Sequence, residues 1–88
     1  MADTEKQSIL LSEVKKFLSN RNIKYRFEDE SGDYMFYCES RLGNEFTFEL
    51  TGQYVEFFSN RTFNVVNYFD GQYVDSTLKM IDKYMLST

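Results

Sequence analysis

The sequence predicts an α+β domain: a two-layer fold in which an antiparallel five-stranded meander sheet is flanked by N- and C-terminal helices, in the order α-β-β-β-β-β-α. Three observations predict it. Apolar residues recur at helical spacing only towards the two ends of the chain. Between Ile23 and Tyr68 the pattern changes to short alternating runs rich in Phe and Tyr. The connections between those runs are too short for crossovers, which forces antiparallel neighbours. At 88 residues, 1–88 is read as a single domain with one core.

The first helix is expected from about Glu5 to Ser19. Leu10, Val14 and Phe17 form its stripe, widened by Leu11 and Leu18, and Glu13, Lys15 and Lys16 take the opposite side. Thr4 and Gln7 have capping-box spacing, and Asn20 and Asn22 suit a left-handed helix end. The first strand is Ile23–Glu28, with Ile23, Tyr25 and Phe27 on one face. After the turn Asp29-Glu30-Ser31-Gly32-Asp33 comes Tyr34–Glu39, apolar on both faces.

Leu42-Gly43-Asn44 leads to Glu45–Leu50, with Phe46, Phe48 and Leu50 inward. Thr51-Gly52-Gln53 is a tight hairpin connection into Tyr54–Ser59, and Asn60-Arg61 opens the last run, Thr62–Tyr68. The final helix is expected from about Gly71 to Leu86 with Asp70 as N-cap and a stripe of Val74, Leu78, Ile81 and Met85, flanked by Tyr73, Thr77 and Tyr84. Asp70-Gly71 could alternatively turn a hairpin; the helical stripe, which spans the whole segment, argues against that.

Both helices packed on one sheet face would cover Ile23, Tyr25, Phe27, Phe46, Phe48, Val55, Phe57, Phe63 and Val65. The other face would then carry Met35, Tyr37, Glu39, Glu45, Thr47, Glu49, Tyr54, Glu56, Phe58, Val66 and Tyr68. That is more aromatic surface than a solvated face requires, and an exposed apolar patch of this kind marks an interaction site. A register shift, a curled sheet or self-association would be other ways to hide the same side chains.

The composition narrows the function. There are nine Phe and seven Tyr, but no His, no Trp and a single Cys. Without His, a general base would have to be a perturbed carboxylate, Lys or Cys, and Cys38 reads as a buried small hydrophobe with no activator. Glu45 and Glu49 lie on one strand face, at an expected spacing of about 7 Å that would suit glycosidase-type chemistry, as would any polar strand face. Asp29, Glu30 and Asp33 do not follow the spacing of a calcium loop. No enzyme activity, cofactor or metal is expected.

Charge is unevenly placed. Glu28 to Glu56 holds eight acids and one base, Arg41, in a chain of net charge −4. An acidic, aromatic face suits a protein partner with a basic surface. It opposes direct nucleic-acid binding, which needs clustered Lys and Arg. The partner-binding residues expected on this ground are Tyr37, Glu39, Glu45, Glu49, Tyr54, Glu56 and Phe58. A homodimer through the same face is the alternative, and a single-strand nucleic-acid binder ranks third.

A lone cysteine permits no internal disulfide, and the apolar run Ile9–Leu11 is too short for a leader or a membrane span. The cytoplasm is the expected compartment, with no membrane partner, and the Asn60-Arg61-Thr62 sequon is read as chance. Residues with AT-rich codons (Phe, Tyr, Asn, Lys, Ile) total 31, against 9 for Gly, Ala, Arg and Pro. This bias fits an AT-rich genome such as that of a phage or mobile element. The expected function is a small non-enzymatic inhibitor or adaptor of that type, covering a basic, nucleic-acid-binding surface of a host protein from within the host cytoplasm.

Overall fold

The computed structural model of the protein describes residues 3–58 and 63–87, with side chains through Leu86. Ser59 to Thr62, which include the sequon and the expected start of the last strand, lie outside the described residues. The elements are α1 (Thr4–Asn20), β1 (Tyr25–Glu30), β2 (Asp33–Glu39), β3 (Glu45–Leu50), β4 (Tyr54–Phe58), β5 (Phe63–Asn67) and α2 (Tyr73–Ser87). The sheet runs β1-β2-β3-β4-β5, antiparallel throughout. It is the expected α+β meander flanked by two helices, and the segment after β4 is a strand followed by a helix rather than a hairpin.

The cap of α1 differs from the expected box. Asp3 is the N-cap, its carboxylate accepting from the Lys6 N–H at 3.1 Å. Gln7 turns inward instead, because α1 places it on the buried stripe with Leu10, Val14 and Leu18. There its Nε2 donates to the carbonyls of Gly32 (2.7 Å) and Leu50 (2.9 Å). One amide thus ties α1 to the β1–β2 turn and to the end of β3. At the other end Asn22 adopts φ +55°, and Ile23 N–H donates to the Leu18 carbonyl, a Schellman closure that buries Ile23 beside the helix.

Ile23 is therefore part of the helix exit, and β1 begins at Tyr25. It also runs two residues further than expected, to Glu30. Ser31 and Gly32 both take positive φ, the geometry of a two-residue hairpin turn that continues the ladder to Glu30↔Asp33.

Phe36, Phe46, Phe48 and Phe57 are fully buried along the inner sheet face. The rings of Phe36 and Phe48 stack at 4.9 Å, and Phe48 meets Phe57 at 5.0 Å. Lys15 of α1 lies 4.1 Å above the Phe27 ring, which places this helix over the β1 side. Tyr84 of α2 packs on Phe46 and Phe57 and its hydroxyl accepts from Asn64 Nδ2 at 2.8 Å, which places the second helix over the β4–β5 side. Both helices thus share one layer.

The buried line of α2 is Thr77, Ile81 and Tyr84, with Val74, Leu78 and Met85 only partly covered. The stripe is rotated from the expected one because the Thr77 hydroxyl satisfies itself on the Tyr73 carbonyl at 2.7 Å and so can be buried. The helix begins at Tyr73, not Gly71. Asp70 opens the preceding turn, its carboxylate accepting from Gln72 N–H and its carbonyl from Tyr73 N–H.

The strand β5 is inverted relative to expectation. Val66 and Tyr68 are buried, whereas Phe63 is 62% and Val65 40% exposed. The Tyr68 hydroxyl reaches the Thr51 carbonyl at 2.6 Å. Phe63 and Val65 therefore leave the inner face, and Val66 and Tyr68 leave the outer one.

Candidate protein-interaction face

The outer face follows from register. One cross-strand row reads Arg26–Tyr37–Thr47–Phe58–Phe63, and the next reads Glu28–Met35–Glu49–Glu56–Val65. A third pairs Glu39 with Glu45, and Tyr54 pairs with Asn67. All seven residues expected from sequence, Tyr37, Glu39, Glu45, Glu49, Tyr54, Glu56 and Phe58, project from this one face. Alternation also brings Glu28, Glu30 and Asp33 to it. Asp29 does not join them; its carboxylate accepts from Gly32 N–H in the turn.

Two pairs of like charges stand directly opposite each other. Ser40 N–H donates to the Asn44 carbonyl, so Glu39↔Glu45 is a non-hydrogen-bonded position, where Cα atoms approach to about 4.5 Å. Glu49↔Glu56 is a hydrogen-bonded position by the same reasoning from Thr51 N–H to Tyr54 C=O, with about 5.5 Å between Cα atoms. Partial burial lifts the Glu49 carboxyl above its usual range, and the charges of Asp33, Glu56 and Glu30 add to the effect. The Tyr54 phenol is raised by its hydrogen bond to Glu56, by the charge of that residue, and further by Glu49 and Asp33. The negative potential is thus concentrated at the middle of β3 and β4.

Among the described residues, bases on this face are confined to the β1 side. Arg26 lies 4.2 Å over the Tyr37 ring and 3.5 Å from Glu28. At the opposite side Phe58 and Phe63 meet at 5.8 Å between ring centroids, and with Val65 they form an apolar border. Sequence reasoning missed Phe63 and Val65. The available signal was parity, because β4 ends in an outward Phe58 and a hairpin partner of Phe58 shares its face.

The arrangement offers little for catalysis. Glu45 and Glu49 are four residues apart with Thr47 between them, about 13 Å along the strand. That is nearly twice the spacing expected from sequence and beyond the roughly 5–9.5 Å of paired glycosidase carboxylates. Cys38 is buried on the inner face between Tyr25 and Phe46, and burial, aided by the charge of Glu45, pushes its thiol up to about 12. Among the described residues no group of three His, Cys, Asp or Glu side chains is placed to hold a metal ion, and no helix is long and apolar enough to cross a membrane.

Comparison of the chain with protein-family models, with curated proteins and with solved structures returned no match.

Proposed function

We propose that the chain is a non-enzymatic protein-binding module whose outer sheet face covers a basic surface on another protein. The observation that carries this reading is the pair of like-charge positions, Glu39 opposite Glu45 and Glu49 opposite Glu56, set among Tyr37, Tyr54 and Phe58. Directly opposed like charges cost a sheet stability, and half-buried carboxylates cost more. A partner bearing Lys and Arg would relieve both costs while the aromatic side chains fill its apolar recesses. Such basic surfaces are typical of nucleic-acid-binding proteins. Together with the AT-rich codon bias, this favours an inhibitor or adaptor of phage or mobile-element type, acting in a host cytoplasm.

The same rows argue against self-association face to face, which would stack carboxylates on carboxylates. They argue equally against single-stranded nucleic acid as the ligand of this face.

Affinity capture from an AT-rich host lysate tests the proposal, using the unmodified chain beside Glu49→Lys/Glu56→Lys and a helix-face control, Lys16→Glu. Proteins retained by the unmodified chain and the control but lost with the double reversal support it. Identical retention by all three overturns it, as does tight binding of the unmodified chain to single-stranded DNA or RNA at moderate salt.

A further inference from the structure

The two edges of the sheet differ in how they are guarded. β1 carries Arg26, Glu28, Asp29 and Glu30 within six residues, and charged side chains of this kind discourage strand addition. β5, Phe63-Asn64-Val65-Val66-Asn67, carries no charge and no proline, and two of its outward side chains, Phe63 and Val65, are exposed and apolar.

The direction of the β5 backbone groups follows from one bond. Tyr68 N–H donates to the Gln53 carbonyl, and the ladder with β4 runs unbroken from there. Alternation then turns the N–H and C=O groups of Val66 and Asn64 towards β4, and those of Val65 and Phe63 away from it. Among the described residues these outward groups meet no hydrogen-bond partner. The carbonyl of Asn67, by contrast, is taken by Asp70 N–H. The open edge is therefore the segment from Phe63 to Val65.

We infer that β5 pairs antiparallel with β5 of a second copy of this chain, across a two-fold axis at Asn64. In that register Phe63 of each copy stands opposite Val65 of the other. The free N–H and C=O groups of both residues are then satisfied, and the exposed apolar side chains cover each other. No carboxylate reaches the seam, since Glu56 lies one strand further in. Pairing β5 with β1 of another copy would instead leave a free edge at each end and grow without closing; the charges on β1 oppose it.

The seam is short. Three described residues from each copy, Phe63 to Val65, fall well below the roughly 1,200–2,000 Å² buried in stable interfaces, so the dimer is reversible and its population follows concentration. The axis stands perpendicular to the sheet, which leaves both acidic faces open on the same side. The inference is independent of the proposed function, because its test uses the chain alone.

Analytical ultracentrifugation of the full chain over a concentration series is expected to show exchange between the 10.5 kDa chain and twice that mass. Val65→Lys, with folding verified by circular dichroism, is expected to raise the dissociation constant at least about tenfold. On the unmodified chain, NMR hydrogen exchange at the Phe63 and Val65 amides is expected to slow as concentration rises, which needs no variant. A monomer at every concentration overturns the inference. So does a dimer unaffected by Val65→Lys, exchange at these amides that ignores concentration, or assembly beyond the dimer.

Discussion

Glu49 faces Glu56 across the centre of the sheet, and among the described residues no base on the outer face lies nearer than the β1 side, where Arg26 is engaged by Tyr37 and Glu28. Because Glu49 holds its proton more tightly in the folded sheet than in the unfolded chain, the folded state gains stability as pH falls through the raised value. The penalty is fully present above it. Glu49→Gln should therefore stabilise the domain at neutral pH by roughly 0.2–1 kcal/mol. Denaturant titrations at neutral and acid pH check this: the gain should vanish once the native carboxyl is protonated, and an equal gain at both would contradict it.

Tyr54 and Phe58 are half-buried on the outer face, outside the buried core cluster. Replacing either by Ala should weaken partner association by roughly 1–3 kcal/mol, as central interface aromatics do. Thermal stability should stay nearly unchanged. Unfolding on either replacement would mean that the side chain belongs to the core.

Association through Glu45, Glu49 and Glu56 should slow as ionic strength rises, because screening removes the steering potential. Reversal of each to Lys should lower the on-rate further while changing the off-rate less. Stopped-flow association at several salt concentrations separates the two, and a salt-independent on-rate would count against electrostatic steering.

With its thiol pushed up to about 12, Cys38 is protonated throughout the neutral range. It should react slowly with alkylating reagents in the folded protein and rapidly only after denaturation. Cys38→Ser should cost about 1–3 kcal/mol, since the hydroxyl would be buried without a prepared partner, and should leave partner binding unchanged. Fast modification of the folded chain would instead point to a thiol-dependent activity.

The amide of Gln7 is a further structural test. Gln7→Ala removes the donor shared by the Gly32 and Leu50 carbonyls and should lower stability by about 1–3 kcal/mol in thermal or chemical denaturation. Thr4→Ala should have a much smaller effect, because Asp3, not Thr4, caps α1.

Period and turn chemistry made the element order legible. In β3, Phe46, Phe48 and Leu50 alternate cleanly with Glu45, Thr47 and Glu49, leaving one possible face assignment. β5 offered no such contrast: Phe63 and Val65 carry one parity, Val66 and Tyr68 the other, and both sets are apolar. Composition within β5 cannot choose between them; the choice follows from its register with β4, which sets Phe63 opposite Phe58, and is held by the Tyr68 hydroxyl on Thr51 and the Asn64 amide on Tyr84. Gln7 misled for a similar reason. Its spacing from Thr4 is local information, whereas its two acceptors lie 25 and 43 residues away. The acidic face was readable because Glu45, Glu49 and Glu56 alternate with inward Phe, Leu and Val on β3 and β4, while its apolar border on β5 was not.

Each strand pairs only with its neighbour in the chain, and this bears on how the domain reaches its native state. Hairpin closures over a few residues lose little chain entropy, so the sheet has an unusually low contact order for a β-rich topology and should form quickly by successive zippering. The distant closures are those made by the helices, Gln7 to Leu50 and Arg21 to Asp82, the latter spanning 61 positions. The rate-limiting step is then expected to be the docking of the helical layer onto a largely assembled sheet. Until that step completes, the Phe36, Phe46, Phe48 and Phe57 surface stays open to solvent, and it is in this interval that the chain is most exposed to aggregation.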